Sequence, residues 1–126
     1  MAQSFWPDFR VNRTSGWVRP ILVEAGRELK DKTGGLVELR PTPYQNDHPF
    51  YPFGYECHLV VPEHEFVFLL FRVRTNAAGT SAAIEAGGQN FKDLFTPDGF
   101  REALTDVLHS ERTQQIVQNL LSMAAA

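Results

Sequence analysis

The residues of this sequence that could hold a metal ion are four histidines and one cysteine, and Cys57, His58 and His64 lie close together. Cys57 and His58 are neighbours on a predicted strand, so their side chains point to opposite faces and cannot share a metal. The sequence has no Cys-x-x-Cys or His-x-x-x-His pair to complete a tetrahedral set. The best remaining group is Glu56 and His58 on one strand face, joined by His64 or Glu65. We interpret it as a solvated polar face and predict no metal site.

Cys57 could act as a nucleophile only if a histidine met it in space and positive neighbours lowered its pKa. It alternates in phase with Tyr55, Leu59 and Val61, which favours a small apolar side chain on a buried strand face. The sequence also lacks the Gly-x-Gly-x-x-Gly, P-loop, His-Glu-x-x-His and Gly-x-Ser-x-Gly signatures. We therefore predict no catalytic residue and no cofactor.

Aromatic residues and prolines are concentrated in one predicted loop. The aromatics are Tyr44, Phe50, Tyr51, Phe53 and Tyr55, and the prolines are Pro41, Pro43, Pro49 and Pro52. Prolines lower the entropy that a loop loses on binding, and aromatic rings offer a large contact area with few rotatable bonds. The pattern is typical of a binding surface, but the same rings could instead fold inward and cover an open end of the sheet.

A second group of aromatics is mixed with arginines near the N-terminus: Phe5, Trp6, Phe9 and Trp17 with Arg10, Arg13 and Arg19. Such a mixture could stack on bases and contact phosphates, and Arg72 and Arg74 could extend it or pair with Glu56 or Glu38. The chain, however, carries 12 Lys+Arg against 15 Asp+Glu, a net charge of −3. This balance opposes nucleic acid as a partner.

The chain has 126 residues, of which 43% are hydrophobic and 21% charged. These values are typical of one folded domain, residues 1–126, in which residues 1–15 are predicted to form an extended aromatic arm. One cysteine cannot form an internal disulfide, and the longest apolar run, Phe66–Phe71, is too short to cross a membrane. With no signal-peptide pattern at the N-terminus, the expected location is the cytoplasm.

The spacing of apolar residues predicts the elements that carry these groups. A helix is expected from about Trp17 to Thr33, with Pro20 in its first turn and Gly34-Gly35 after its end. Strands are predicted at 36–40, stopped by Pro41 and Pro43, and at 55–61. The run 65–74 is apolar on both faces, which predicts a central strand covered on both sides. The strands at 55–61 and 65–74 should form a hairpin. A weaker edge strand is predicted at 80–86.

The C-terminal region contains two apolar stripes. Thr96-Pro97-Asp98 is a helix start signal, and the residues up to Leu108 keep helical spacing. Ile116, Val117, Leu120 and Leu121 also have helical spacing, but their stripe lies about 150° around the axis from the first. Either the helix breaks at His109-Ser110, with Ser110 as a new N-cap, or one helix continues and presents these four residues to another surface, such as a second chain.

These elements predict an α+β fold: an antiparallel meander sheet of three to four strands, flanked by an N-terminal helix and one or two C-terminal helices. The leading hypothesis for function is a non-catalytic protein-interaction module (an adaptor, chaperone-like or inhibitor protein), acting as a monomer or homodimer. The second is a small-molecule-binding domain or small enzyme, with Glu56 and His58 in a pocket between sheet and helices. The third is a weak nucleic-acid binder.

Overall fold

The computed structural model describes residues 5–9 and 16–126, which contain three α-helices and one antiparallel sheet. In chain order the elements are α1 (Val18–Lys32), β1 (Glu38–Gln45), β2 (Phe53–Val61), β3 (Phe66–Thr75), β4 (Ala82–Ala86), β5 (Gln89–Leu94), α2 (Pro97–Leu108) and α3 (Glu111–Ala125). The strand order is β1-β2-β3-β4-β5, so each strand pairs with its neighbour in sequence. The predicted α+β class and antiparallel sheet are confirmed, but the sheet has five strands rather than three to four.

The strand missing from the prediction is β5, which forms the edge of the sheet beside β4. Its sequence, QNFKDL, is mostly polar and has no β-branched residue, so its strand signal is weak. Gly87 and Gly88 form the connecting turn with φ angles of 42° and 97°, which glycine adopts without strain. Because β5 is present, β4 lies inside the sheet instead of at its edge.

The opposite edge, β1, is longer than predicted because it continues through Pro41 and Pro43 to Gln45. A proline is tolerated in a strand at the sheet edge, where its missing N–H would have pointed outward. The two prolines are two residues apart, so both occupy the same side of β1. The prediction that they stop the strand is wrong, since they remove donors only from the free edge of the sheet.

The central strand is β3, as predicted. Its pairing with β2 shifts register, so that Leu69 opposes His58 while Phe71 opposes Cys57, and Leu70 is the extra residue of a bulge. Leu70 and Phe71 are consequently both buried among the core residues. The apolar run predicted a strand covered on both faces. The bulge instead explains why two consecutive residues of the run are buried in one core, while Val67 on the other face is 57% exposed.

The three helices begin and end at the local signals in the sequence. Helix α1 ends before Gly34 and Gly35, which have positive φ angles of 61° and 82°. Thr96 caps α2 by accepting the N–H of Gly99 at 3.0 Å. Ser110 caps α3 by accepting the N–H of Thr113 at 3.2 Å. The predicted break is confirmed, and the alternative of one continuous helix is wrong.

All three helices contribute to one core on the same face of the sheet. Side chains of α1 and α2 meet those of the strands there, and the largest fully buried ones are Leu22, Leu59, Phe71, Ile84 and Phe100. The second face of the sheet carries charged residues that pair across strands. Arg72 bonds to Glu56 and Arg74 to Glu85, each at 3.1 Å.

Candidate functional site

A groove runs along the helical side of the domain, between α1 on one wall and α2 with α3 on the other. Its floor is formed by the sheet residues Leu39, Leu59 and Leu70. The groove has a volume of about 530 Å³ and is open to solvent. Apolar side chains that the domain does not bury completely therefore line a concave surface, which is the usual form of a binding site.

The α1 wall results from a simple repeat in the sequence. Ile21, Ala25 and Leu29 follow one another at intervals of four residues and line the groove on one helix face. At Gly26 the helix lies close to β1, because a Cβ there would be only 2.9 Å from the carbonyl oxygen of Leu39. This close approach sets the height of the α1 wall above the floor.

The opposite wall is built where α2 ends and α3 begins. Leu104 and Leu108 line it from α2, and Thr113 and Val117 line it from α3. The corner between the helices is held by Thr113 Oγ1, which donates to the carbonyl oxygen of Val107 at 2.8 Å. Because this corner redirects the chain, both helices turn apolar residues toward the same groove.

The rim of the groove is charged, and its charges are paired within the domain. Arg101 of α2 donates to the Glu24 carboxylate of α1 at 2.7 Å, which ties the two walls together. This hydrogen bond and the positive charge of Arg101 lower the pKa of the Glu24 carboxyl. Lys32 lies 3.1 Å from Glu28, one turn earlier on α1. Lys32 and Arg101, which both line the groove, thus already have a carboxylate partner.

The four residues predicted as an interface on the last helix lie against the protein's own core. Leu120 is only 3% exposed, and Ile116, Val117 and Leu121 are partly buried beside the core cluster. Of the four, Val117 lines the groove. Their contribution to binding another molecule stays a prediction.

The aromatic loop is ordered around His48. The ring nitrogen Nδ1 accepts the backbone N–H groups of Phe50 at 3.1 Å and Tyr51 at 3.0 Å. Asn46 closes the loop, since its N–H donates to the carbonyl oxygen of Pro52 at 2.9 Å. His48 was not among the predicted site residues, although its position between turn residues and a proline is the available sequence signal for this role.

The five aromatics of this region have different environments. Phe50 is 74% exposed and Phe53 is 43% exposed. Tyr51 is half-buried, and its hydroxyl lies 3.0 Å from Ser81 Oγ. Tyr55 packs against the core from β2, while Tyr44 is half-buried on β1. The region thus presents two phenylalanines to solvent and turns its tyrosines partly inward.

Glu56 and His58 lie on the sheet face that carries the paired charges, away from the helices. Glu56 accepts from Arg72 at 3.1 Å, and neither Glu56 nor His58 lines the groove. Within residues 5–9 and 16–126, no three His, Cys, Asp or Glu side chains are grouped so that they could hold a metal ion. The polar residues that line the groove between sheet and helices are thus others than Glu56 and His58.

Cys57 is completely buried in the core, on the helical face of β2. Burial away from water penalises the thiolate and raises the pKa of the Cys57 thiol far above its ordinary value. A thiol with a raised pKa stays protonated and is a weak nucleophile.

The N-terminal residues considered for nucleic-acid binding are only partly described. Arg10 and Arg13 lie outside the described residues, as do the parts of the predicted arm at 1–4 and 10–15. Phe5, Trp6 and Phe9 are exposed. Trp17 is half-buried, with its ring 5.4 Å from that of Phe100, so it packs against α2. Arg72 and Arg74, which could have extended a basic patch, both pair with glutamates.

A pocket between sheet and helices was one of the hypotheses, but its lining residues were not predicted because the two walls are far apart in the chain. Among the helices described, none is long and apolar enough to cross a membrane. Comparison with protein families, with curated proteins and with solved structures gives no match to this sequence. The geometry of the groove is therefore the basis for assigning a function.

Proposed function

We propose that this protein is a non-catalytic protein-interaction module whose binding surface is the groove between α1 and the α2–α3 pair. The observation that carries the proposal is an open groove with an apolar floor and with apolar side chains on both walls, beneath a polar and charged rim. A partner that fills it buries apolar surface, which contributes about 25 cal/mol for each Å² removed from water.

The half-buried side chains in the groove support this use. Ala25 and Leu29 on α1, and Leu108 and Val117 on the other wall, are packed against the core but keep part of their surface free. Partly exposed apolar side chains that line one groove together provide a surface that a partner can cover.

Two substitutions on α1 test the proposal. Ala25→Phe places a ring in the groove, and Val23→Phe, the matched control, places the same ring at a site that is 37% exposed and outside the groove. Each is used as bait, with cross-linking, in a lysate of the organism that makes the protein. Proteins captured by the wild type should be retained by Val23→Phe and lost from Ala25→Phe.

Circular dichroism and the melting temperature establish that both variants fold. If folded Ala25→Phe captures the same proteins in the same amounts as the wild type, the groove is not the binding surface and the proposal fails.

A second candidate function is the binding of a small apolar molecule. Its supporting observation is the groove volume of about 530 Å³, since ligand pockets usually measure about 300–1,000 Å³. Polar contacts would come from Thr105, Gln114 and Gln118 in the lining. Mass spectrometry of a solvent extract of the purified protein tests this function, because a ligand present in the wild type should be absent from Ala25→Phe.

A further inference from the structure

We propose that His48 is a pH-sensitive latch of the aromatic loop. Its neutral ring holds the backbone of residues 48–51 in a closed form, and protonation of the ring opens it. None of residues 46–52 lines the groove, so the latch and the proposed function can fail independently. Because the loop is predicted from the sequence as a binding surface, its opening changes what that surface offers to a partner.

The closed form depends on the lone pair of one ring nitrogen. His48 Nδ1 lies 3.1 Å from the backbone nitrogen of Phe50 and 3.0 Å from that of Tyr51. Both partners are N–H donors, so Nδ1 carries no proton and accepts both hydrogen bonds, and the proton of the neutral ring is on Nε2. In the imidazolium both ring nitrogens are donors. Protonation of Nδ1 therefore leaves two backbone N–H groups without their acceptor and places a third N–H against them.

The His48 ring is also the centre on which the loop packs. Its centroid lies 6.2 Å from that of the Phe50 ring and 5.5 Å from that of the Tyr51 ring. The Tyr51 hydroxyl lies 3.0 Å from Ser81 Oγ, which ties this part of the loop to the residue before β4. A ring that turns away from its two N–H donors thus loosens both aromatic side chains and the contact with Ser81.

The base of the loop is closed by hydrogen bonds that do not titrate. Asn46 donates its N–H to the carbonyl oxygen of Pro52 at 2.9 Å, and its Oδ1 accepts the N–H of His48 at 2.7 Å. A side-chain amide keeps the same donors and acceptor from neutral to mildly acid pH. We therefore expect the opening to be confined to residues 48–51, while the bond between Asn46 and Pro52 stays in place.

The other ionisable groups around the loop do not compete with His48 as the pH sensor. Those on the loop, on the ends of β1, β2 and β3 beside it and at the start of α1 are Asp47, Tyr44, Tyr51, Tyr55, Arg74 and Arg19, and the connection at 76–81 has none. Arg74 is paired with Glu85 at 3.1 Å. Aspartate, tyrosine and arginine ordinarily titrate near pH ~4, near ~10 and above ~12, whereas histidine titrates between about pH 5 and 8. Mild acidification therefore changes the charge of the histidine first.

Hydrogen exchange of the Phe50 and Tyr51 amides, measured by NMR and divided by the intrinsic rate at the same pH, tests the latch. The full chain is compared at about pH 7.5 and about pH 5, which span the titration of histidine. The matched control is His48→Asn, because an asparagine side chain can accept N–H groups of the residues that follow it, as Asn46 does, and has no titrating group. His48→Ala removes the acceptor at every pH.

We expect the protection of both wild-type amides to fall at least about tenfold between the two pH values, as the loss of the hydrogen bonds that His48 accepts implies. In His48→Asn both amides should stay protected at either pH, and in His48→Ala both should be unprotected at either pH. The Asn46 amide should be protected throughout. In a titration of the wild type, the His48 ring protons and the two amide signals should share one midpoint.

The latch is overturned if the wild-type amides are equally protected at both pH values, or if His48→Asn loses protection as the wild type does, since another group then responds to the pH. It is also overturned if the Asn46 amide loses its protection together with the other two, because the whole domain then unfolds. If a variant does not fold, the wild-type midpoints decide, and a His48 ring that titrates apart from the two amides overturns the latch. The bait experiment on the groove is unaffected by any of these results.

Discussion

Replacing Gly26 with alanine tests how closely α1 approaches β1. In an ordinary exposed helix this change stabilises the protein, because alanine has a higher helix propensity than glycine by about 1 kcal/mol. Here the new Cβ would lie 2.9 Å from the carbonyl oxygen of Leu39, whereas ordinary contact begins at 3.4 Å. The helix or the strand must therefore move by about half an ångström, although both are held by the core.

Overpacking of this kind costs about 1–3 kcal/mol. Subtracting the gain in helix propensity leaves a net loss of about 1 kcal/mol in the free energy of unfolding for Gly26→Ala. For a domain of this size the melting temperature should fall by about 4 °C. Urea unfolding followed by circular dichroism measures the free energy directly.

The matched control is the neighbouring exposed position Arg27, where the pair Arg27→Gly and Arg27→Ala reports helix propensity without a steric conflict. At position 27 alanine should be more stable than glycine by about 1 kcal/mol. If alanine has the same stabilising effect at position 26, the helix does not approach the strand closely, and the height of the groove wall deduced from it is refuted.

Three further substitutions test the fold. Gly54→Ala should lower the free energy of unfolding by more than about 3 kcal/mol in urea titrations, because its Cβ would meet the carbonyl oxygen of Val73; wild-type stability would contradict this. Ser110→Ala removes the α3 cap and should lower the free energy of unfolding by about 1 kcal/mol. Ser122→Ala, on the exposed part of α3, is the control and should lower it much less. Equal effects of the two substitutions would argue against capping. Burial raises the pKa of the Cys57 thiol, so an aromatic disulfide reagent should react with it only after unfolding. Unfolded cysteine ionises at pH ~8.5, whereas the buried thiol stays protonated, so the stability of the wild type should fall relative to Cys57→Ala as the pH rises above that value. Rapid labelling of the native protein would contradict the burial of Cys57.

The helix boundaries could be predicted from the sequence because their causes are local. The Thr96 and Ser110 hydroxyls each accept an N–H three residues away, and Pro97 and Gly34 act within a single turn. Such signals need no knowledge of the rest of the chain. The break between α2 and α3, which decides where Val117 lies, was therefore predictable.

The edges of the sheet were predicted poorly because their extent depends on which strands are neighbours. Pro41 is compatible with a strand because no other described strand pairs with the outer side of β1. The polar β5 is a strand because β4 provides a partner for it. Neither fact is encoded in the local pattern. The bulge at Leu70 disturbs the alternation of β3, and it too cannot be predicted from one strand because it depends on the pairing with β2.

The candidate site was predicted least well, since it is formed by residues that are distant in sequence. Glu24 and Arg101 are 77 positions apart yet join the two walls. Val117 was selected from the sequence, but the α1 residues that line the groove with it were not selected as site residues. Glu56 and His58 were on the correct strand and on the opposite face of the sheet, because alternation identifies a face without saying which one the helices cover.

The meander order of the sheet has a consequence for how the chain folds. Every strand pair is a hairpin between sequence neighbours, so the whole sheet can form from local contacts, which generally speeds folding. The contact between α1 and α2 closes a loop that contains the entire sheet, and such long closures carry the larger entropic cost. We therefore expect the hairpins to be formed in the folding transition state and the α1–α2 contact to form late. The groove is then the last part of the molecule to form and, since it lies at that closure, among the first to open.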